Sequence, residues 1–284
     1  MSTIRVMFLS IMLSTTLAFG GWEYSASTKA AGGANSDMFR SSVKGWADGA
    51  MSRVEVVESG NPIIPAGSYL LSRDGGRTMH LVNPQEKRYS ALDLNNMMGL
   101  AGGAMEMMGM KFSSPKVEKL LEETGPAIQG FPTVHYRFRS SHTMEMNFMG
   151  MQRVTETITE EDVWASQDLQ DEGLGVWLNQ GNMKTGNAEV DKVLQAEMGK
   201  VKGFPLKRVA TTTTKQQDGS AETVRVTSEV TAIRKTETPA SLFELPAGYT
   251  EKRLMPGGGL PMGAGGGGSG GADNPFLKLM QQRK

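Results

Sequence analysis

From Thr133 to Arg139 apolar and polar side chains alternate residue by residue, with Val134, Tyr136 and Phe138 on one parity and His135, Arg137 and Arg139 on the other. Successive strand side chains point to opposite faces of a sheet, so this period predicts an extended chain covered on one face and wet on the other. The same logic recurs between turn residues along the chain. Ser68–Arg73 passes through Asp74-Gly75-Gly76 into Arg77–Val82, and Asn83-Pro84-Gln85-Glu86 turns it into Lys87–Leu92, a three-stranded meander. Arg153–Ala165 and Leu206–Lys215 read as further strands, and Gln217-Asp218-Gly219 leads from the second into Glu222–Lys235. There Val224, Val226 and Val230 share a face opposite Arg225, Thr227 and Glu229. The expected class is mainly β with a minority of helix (α+β), built as an antiparallel sheet with one apolar face.

Helical signals are fewer. Asn187–Met198 places Val190, Val193, Leu194 and Met198 on one stripe behind a capping Asn187 and ahead of Gly199, which predicts a short amphipathic helix. Ser114–Thr124 fits two patterns. Ser114-Pro115 resembles a helix start with Val117, Leu120 and Leu121 on its stripe, yet Gly125-Pro126 and Gln129-Gly130 serve equally as the turn of a hairpin into Thr133. Both remain open, because periodicity cannot decide so short a segment.

Composition removes several classes of function. The 284 residues include no cysteine, which excludes disulfides, thiolate metal sites, a cysteine nucleophile and a cysteine-linked lipid anchor. The 30 basic and 30 acidic residues are interleaved, whereas a nucleic-acid surface needs a basic patch. The N-terminus carries an address. Arg5 precedes a mostly apolar run, Val6–Leu17, and Ala18-Phe19-Gly20 puts small residues where a signal peptidase reads. Such a run is shorter than the roughly 20 residues that span a bilayer. Residues 1–20 are therefore expected to be a cleaved signal peptide with cleavage near Gly20, and the mature chain to be periplasmic or secreted without a transmembrane segment.

No catalytic constellation stands out, and no enzyme activity or cofactor is expected. His80, His135 and His142 lack the spaced second ligand of a zinc site, and Glu160-Glu161-Asp162 reads as a solvated strand end. Two formal glycine motifs, at 263–268 and 267–271, lie in a polyglycine run with neither a strand before nor a helix after. The methionines are the chemical anomaly. Met97, Met98, Met105, Met107, Met108 and Met110 crowd the segment Asn95–Met110, read as a mobile loop, and Met144, Met146, Met149 and Met151 follow His142. Thioethers line adaptable apolar surfaces, and they are also soft ligands for Cu(I). Pro256–Ala272 contains ten glycines and ends near Phe276, Leu277, Leu279 and Met280, so residues 253–284 read as a flexible tether with an apolar tip.

Three local signatures occur together. Asn83-Pro84-Gln85-Glu86-Lys87-Arg88-Tyr89 closes the meander, Lys202-Gly203-Phe204-Pro205-Leu206-Lys207 opens a late strand, and Pro239-Ala240-Ser241-Leu242-Phe243-Glu244-Leu245-Pro246-Ala247-Gly248-Tyr249 ends the last one. Over roughly residues 21–252 the chain resembles an uncharacterised family of secreted bacterial proteins, a domain of unknown function that is similar to the LolA and LolB lipoprotein-carrier superfamily. The resemblance implies a strongly curved antiparallel sheet, an incomplete barrel, closed over by one or a few helices around an apolar cavity. Leu242, Phe243 and Leu245 would be core anchors, with Pro246 and Gly248 stopping the strand.

The leading expectation is a non-enzymatic binding module for a lipid or other apolar small molecule. Met79, Leu81, Tyr89, Val134, Tyr136, Phe138 and Val224 would line its cavity, and the methionines of 97–110 would form a lid. One alternative is a Cu(I) site of His142, Met144, Met146, Met149 and Met151. Another is an envelope assembly or adaptor protein that contacts a partner through Phe276, Leu277, Leu279 and Met280.

Overall fold

The structure is a computed structural model that describes residues 20–33, 36–61, 64–92, 109–148, 151–169, 173–174, 192 and 201–252. The strands are β1 (Gly21–Ala31), β2 (Ser41–Asp48), β3 (Met51–Ser59), β4 (Tyr69–Ser72), β5 (Met79–Asn83), β6 (Arg88–Leu92), β7 (Met110–Ile128), β8 (Phe131–Phe148), β9 (Met151–Ser166), β10 (Phe204–Gln216), β11 (Ala221–Thr236) and β12 (Thr250–Glu251). They form one open sheet in the order β12-β6-β5-β4-β3-β2-β1-β11-β10-β9-β8-β7. Neighbours run antiparallel except for the short pair β12–β6, which is parallel.

The meander falls where the turn residues place it, as β4, β5 and β6. Its first turn is held by Asp74, which accepts hydrogen bonds from the Thr78 amide at 2.9 Å and the Ser72 hydroxyl at 3.1 Å. Gly75 and Gly76 follow at φ 71° and 86°, a conformation that glycine adopts without steric cost. The ambiguous Ser114–Thr124 is strand, part of the 19-residue β7, which reverses through Gln129-Gly130 into β8. Met110 is likewise not a loop residue: it opens β7 and pairs with Met146 of β8.

The sheet curls strongly. β1 and β8 are separated by β11, β10 and β9, so in a flat sheet they would lie about 19 Å apart. Yet the rings of Trp22 on β1 and Phe131 on β8 stand edge to face with centroids 5.8 Å apart. Under this curl sits the main core of Trp22, Tyr24, Ala47, Val54, Phe204, Leu206 and Val230, with Leu169 and Leu174 packed in from beyond β9. A β-bulge supports it: β1 register slips between Ser25 and Ala26, which pair with Ala232 and Val230. Val230 and Ile233, of opposite parity, therefore both reach the same core.

The second core lies on the convex face. Phe243 is fully buried against Tyr69, Leu71 and Val82, with Leu242, Leu245, Tyr89 and Tyr249 around it. The three anchors are thus core residues, but not because a strand ends there. Ala240–Phe243 is a 3-10 turn that leads the chain across the convex side of β3–β6 to β12. Arg53 fixes the crossing by donating to the Leu242 carbonyl at 3.1 Å while its guanidinium lies 3.8 Å above the Tyr69 ring. Among the described residues helix amounts to the 3-10 turns Ser36–Phe39 and Ala240–Phe243 and the single positions Leu174 and Lys192. Apart from Lys192, the predicted helix Asn187–Met198 lies outside the described residues, as do residues 1–19, 93–108 and 253–284.

Candidate functional site

Directly opposed residues of neighbouring strands share a face, so the register assigns each side chain to one side of the sheet. Leu81 opposes Leu70, Leu70 opposes Val54, Val54 opposes Gly45 and Gly45 opposes Tyr24, which places Met79 and Leu81 on the concave face with Tyr24. On the other arm Val224 opposes Thr212, Thr212 opposes Thr159 and Thr159 opposes Ser140, so Val134, Tyr136, Phe138 and Val224 are concave too. Tyr89 alone of the seven expected lining residues is on the convex side, opposite Val82 and under the C-terminal crossing. The six concave residues are not one contiguous lining. Met79 is buried with Leu70 beside Leu81, Tyr136 and Phe138 are buried with Val163, Ala165 and Val134, and Val224 is half-buried.

Near β1 the concave side is filled by the protein's own aromatic core, where Tyr24 also meets Phe204 at 5.8 Å. At the far ends of β8, β9 and β10 it opens into a depression of about 260 Å3. Met144 and Met146 of β8, Arg153, Thr155 and Thr157 of β9, and Thr214 and Gln216 of β10 line it, all on the concave parity. Met144 lies six positions beyond Phe138, roughly 20 Å along the strand. Two polar groups on this face carry no signal in the sequence. Glu161 is buried and ion-paired to Arg208, so the acidic run at 160–162 is not a solvated strand end. Among the described residues the Tyr136 hydroxyl is buried with no hydrogen-bond partner, in a residue only 1% exposed.

His135 is on the polar face as its parity requires, but it is buried rather than wet. Its ring stacks on Trp164 at 4.4 Å, Nε2 meets Asp162 at 2.7 Å and Nδ1 meets Glu123 at 3.4 Å. Arg137 donates its Nε to the same Asp162 oxygen at 2.8 Å. Burial raises the Asp162 carboxyl pKa, but the hydrogen bonds from Arg137 and His135 outweigh it and hold the group below its ordinary value. With both ring nitrogens engaged by carboxylates, His135 joins β7, β8 and β9 across the convex face. No sequence signal announces this cluster, because it depends on the β8–β9 register that sets His135 against Trp164 and Arg137 against Asp162.

The soft-ligand candidates divide. His142, Met144 and Met146 alternate on the concave parity of β8, and Met110 is the register partner of Met146. Met151 opens β9 opposite Phe148, while Met149 lies outside the described residues. The lid candidates Met97, Met98, Met105, Met107 and Met108 and the tail residues Phe276, Leu277, Leu279 and Met280 also lie outside them. Among the described residues no group of three His, Cys, Asp or Glu side chains is placed to hold a metal ion. Among them, too, no helix is long and apolar enough to cross a membrane.

A single open, curled sheet, almost wholly antiparallel, with a concave face that is apolar near β1 and a convex face covered over β3–β6 by its own C-terminal crossing defines the class of domain. The chain belongs to the family described as a domain of unknown function (DUF4412), whose profile matches residues 52–249. No curated protein matches the sequence. Seven chains of known structure match, among them PNGF-II in a P21 crystal form, at 13% identity and a TM-score of 0.35. That match covers 82% of this chain and 31% of the other, so the chain spans about a third of PNGF-II. A likeness of that size does not define a shared fold.

Proposed function

We propose that this domain is a non-enzymatic, exported binding module that holds a lipid or other apolar ligand on the concave face of its curled sheet, in the manner of an incomplete LolA-like barrel. The supporting observation is the parity of the sheet. Six of the seven expected lining residues share the concave face, and that face continues past the packed core into the depression at Met144 and Met146. Burial would supply the affinity: at about 0.8 kcal/mol per CH2, a chain of about a dozen carbons contributes on the order of 10 kcal/mol before ordering and desolvation costs. The signal-like residues 1–20 support export to the periplasm or beyond. Native mass spectrometry and organic extraction of protein purified from its own compartment are expected to yield a co-purifying lipid. Protein that is free of bound lipid and takes none up from vesicles would overturn the reading.

A second reading is Cu(I) binding, favoured by the placement of His142, Met144 and Met146 on one strand face with Met110 at the register position of Met146. Titration against a Cu(I) chelator tests it. Affinity weaker than micromolar, or affinity unchanged when Met144 and Met146 become leucine, would end it.

A further inference from the structure

We infer that the depression at the β8–β10 end of the concave face holds the anionic head of an amphiphile, a carboxylate or phosphate monoester, an assignment that rests on the apolar-ligand reading above. Its chemistry is that of a donor set. Arg153 donates Nε to the Gln216 side-chain oxygen at 2.9 Å, which leaves the terminal guanidinium nitrogens and the Gln216 amide nitrogen as donors. Thr157 and Thr214 add hydroxyls, and none of the seven described lining residues is acidic. The Thr155 hydroxyl is turned to the Met144 carbonyl at 3.4 Å. Outside the lining, Asp218 in the β10–β11 turn also feels Arg153. Hydrogen bonds from the Ser220 hydroxyl and amide lower its pKa, and Arg153 lowers it further.

A guanidinium flanked by neutral donors matches a planar or tetrahedral oxyanion, which can accept two parallel N–H bonds. A neutral head would leave those donors without a charge to meet. The thioethers of Met144 and Met146 supply the complementary half of the site, polarizable surface for the first methylenes of a chain. The size agrees with a partial site. About 260 Å3 is smaller than the roughly 300–1,000 Å3 of pockets that enclose whole ligands, so the chain would continue along the concave face past Val224.

The test compares four amphiphiles with the same twelve-carbon chain, a carboxylate, a phosphate monoester, an alcohol and a trimethylammonium, displacing a fluorescent apolar probe below their micelle concentrations. At low salt the two anions are expected to bind at least about tenfold more tightly than the alcohol, and the cation most weakly. Arg153→Gln should bring the anions to the level of the alcohol, while Arg153→Lys keeps part of the preference and neither variant changes alcohol binding by more than about threefold. Arg153 is exposed, and circular dichroism will report whether each variant keeps its sheet. Equal affinity for all four heads, or a preference for anions that survives Arg153→Gln, would overturn the head-group assignment while leaving the apolar-ligand reading standing. Failure of all four to displace the probe would overturn that reading, and the assignment with it.

Discussion

Tyr136→Phe removes one oxygen from a fully buried ring and leaves its packing in place. The ring lies among Phe138, Val163, Ala165 and Val134, stacked on Phe138 at a centroid distance of 6.1 Å, and its hydroxyl has no hydrogen-bond partner among the described residues. Burying a hydroxyl unpaired costs about 1–3 kcal/mol, because its bonds to water in the unfolded chain are not replaced. Phenylalanine keeps the same rotamers and nearly the same apolar area, so almost all of that cost should return as stability. For a domain of this size about 1 kcal/mol corresponds to roughly 2–4 °C in Tm. Lipid-stripped Tyr136→Phe is therefore expected to melt at least about 2 °C above wild type by calorimetry, with a higher urea midpoint at unchanged slope. Tyr136→Ala is the opposite control: losing the ring should cost about 3–5 kcal/mol. A Tyr136→Phe protein that melts below wild type would refute the reasoning, since it would mean that the hydroxyl is satisfied in the folded state. The sign bears on function as well. A concave-face ligand with a polar atom near Tyr136 would give the variant a more stable free state and a weaker complex.

Two further perturbations probe the sheet itself. A methyl group at Gly45 would collide with the Tyr24 ring laid over it, so Gly45→Ala should cost about 1–3 kcal/mol through overpacking. In a Tyr24→Ala background the same change should become neutral or stabilising by up to about 1 kcal/mol, because glycine is unfavourable in a strand interior; equal penalties in both backgrounds would refute the clash. Asp162, held below its ordinary pKa by Arg137 and His135, favours the folded state above the unfolded carboxyl pKa of about 3.9 and loses that contribution as pH falls through its folded value. Asp162→Asn is thus expected to be less stable than wild type near neutral pH and to converge on it as the pH falls through the folded-state pKa of Asp162 in urea titrations, and a gap that persists once that carboxyl is protonated would count against the pairing.

The strands were legible where alternation and turn chemistry agree. Asp74-Gly75-Gly76, Asn83-Pro84 and Asp218-Gly219 all mark reversals, and the valines of Glu222–Lys235 share the expected face as far as Val230. Beyond Val230 the phase is lost, because the bulge opposite Ser25/Ala26 depends on the partner strand and leaves no local signature. Tyr89 lies on the face opposite to the expected one for a related reason. Its burial comes from Phe243 and Leu245, more than 150 residues away, on the side opposite the concave face. His135 and Glu161 look like surface residues in sequence and are buried in the fold, since only the register reveals their partners Asp162, Glu123 and Arg208. The depression is half legible in the sequence: Met144 and Met146 stand out as thioethers, while Arg153, Thr157 and Thr214 join them only when β9 and β10 pair.

An open sheet without disulfides has to keep its two edges from recruiting other chains, and the sequence of β7 shows how this one does so. The strand is long enough to template another chain, yet its pairing with β8 is irregular at Ser113/Lys116, Lys119/Leu121 and Gly125/Ile128. Pro115 and Pro126 remove two backbone donors, and Ser114 adopts a left-handed φ of 53°. Lys111, Lys116, Glu118, Lys119, Glu122 and Glu123 place charges of both signs along the same strand. At the opposite edge β12 offers two exposed residues. Both edges are thereby made poor partners for strand addition, which leaves the side-chain surface of the concave face as the better place to meet a ligand. An apolar ligand needs that surface and gains little from backbone hydrogen bonds, whereas an extended peptide needs the edge. The way the edges are blunted therefore favours an amphiphile over a peptide as occupant.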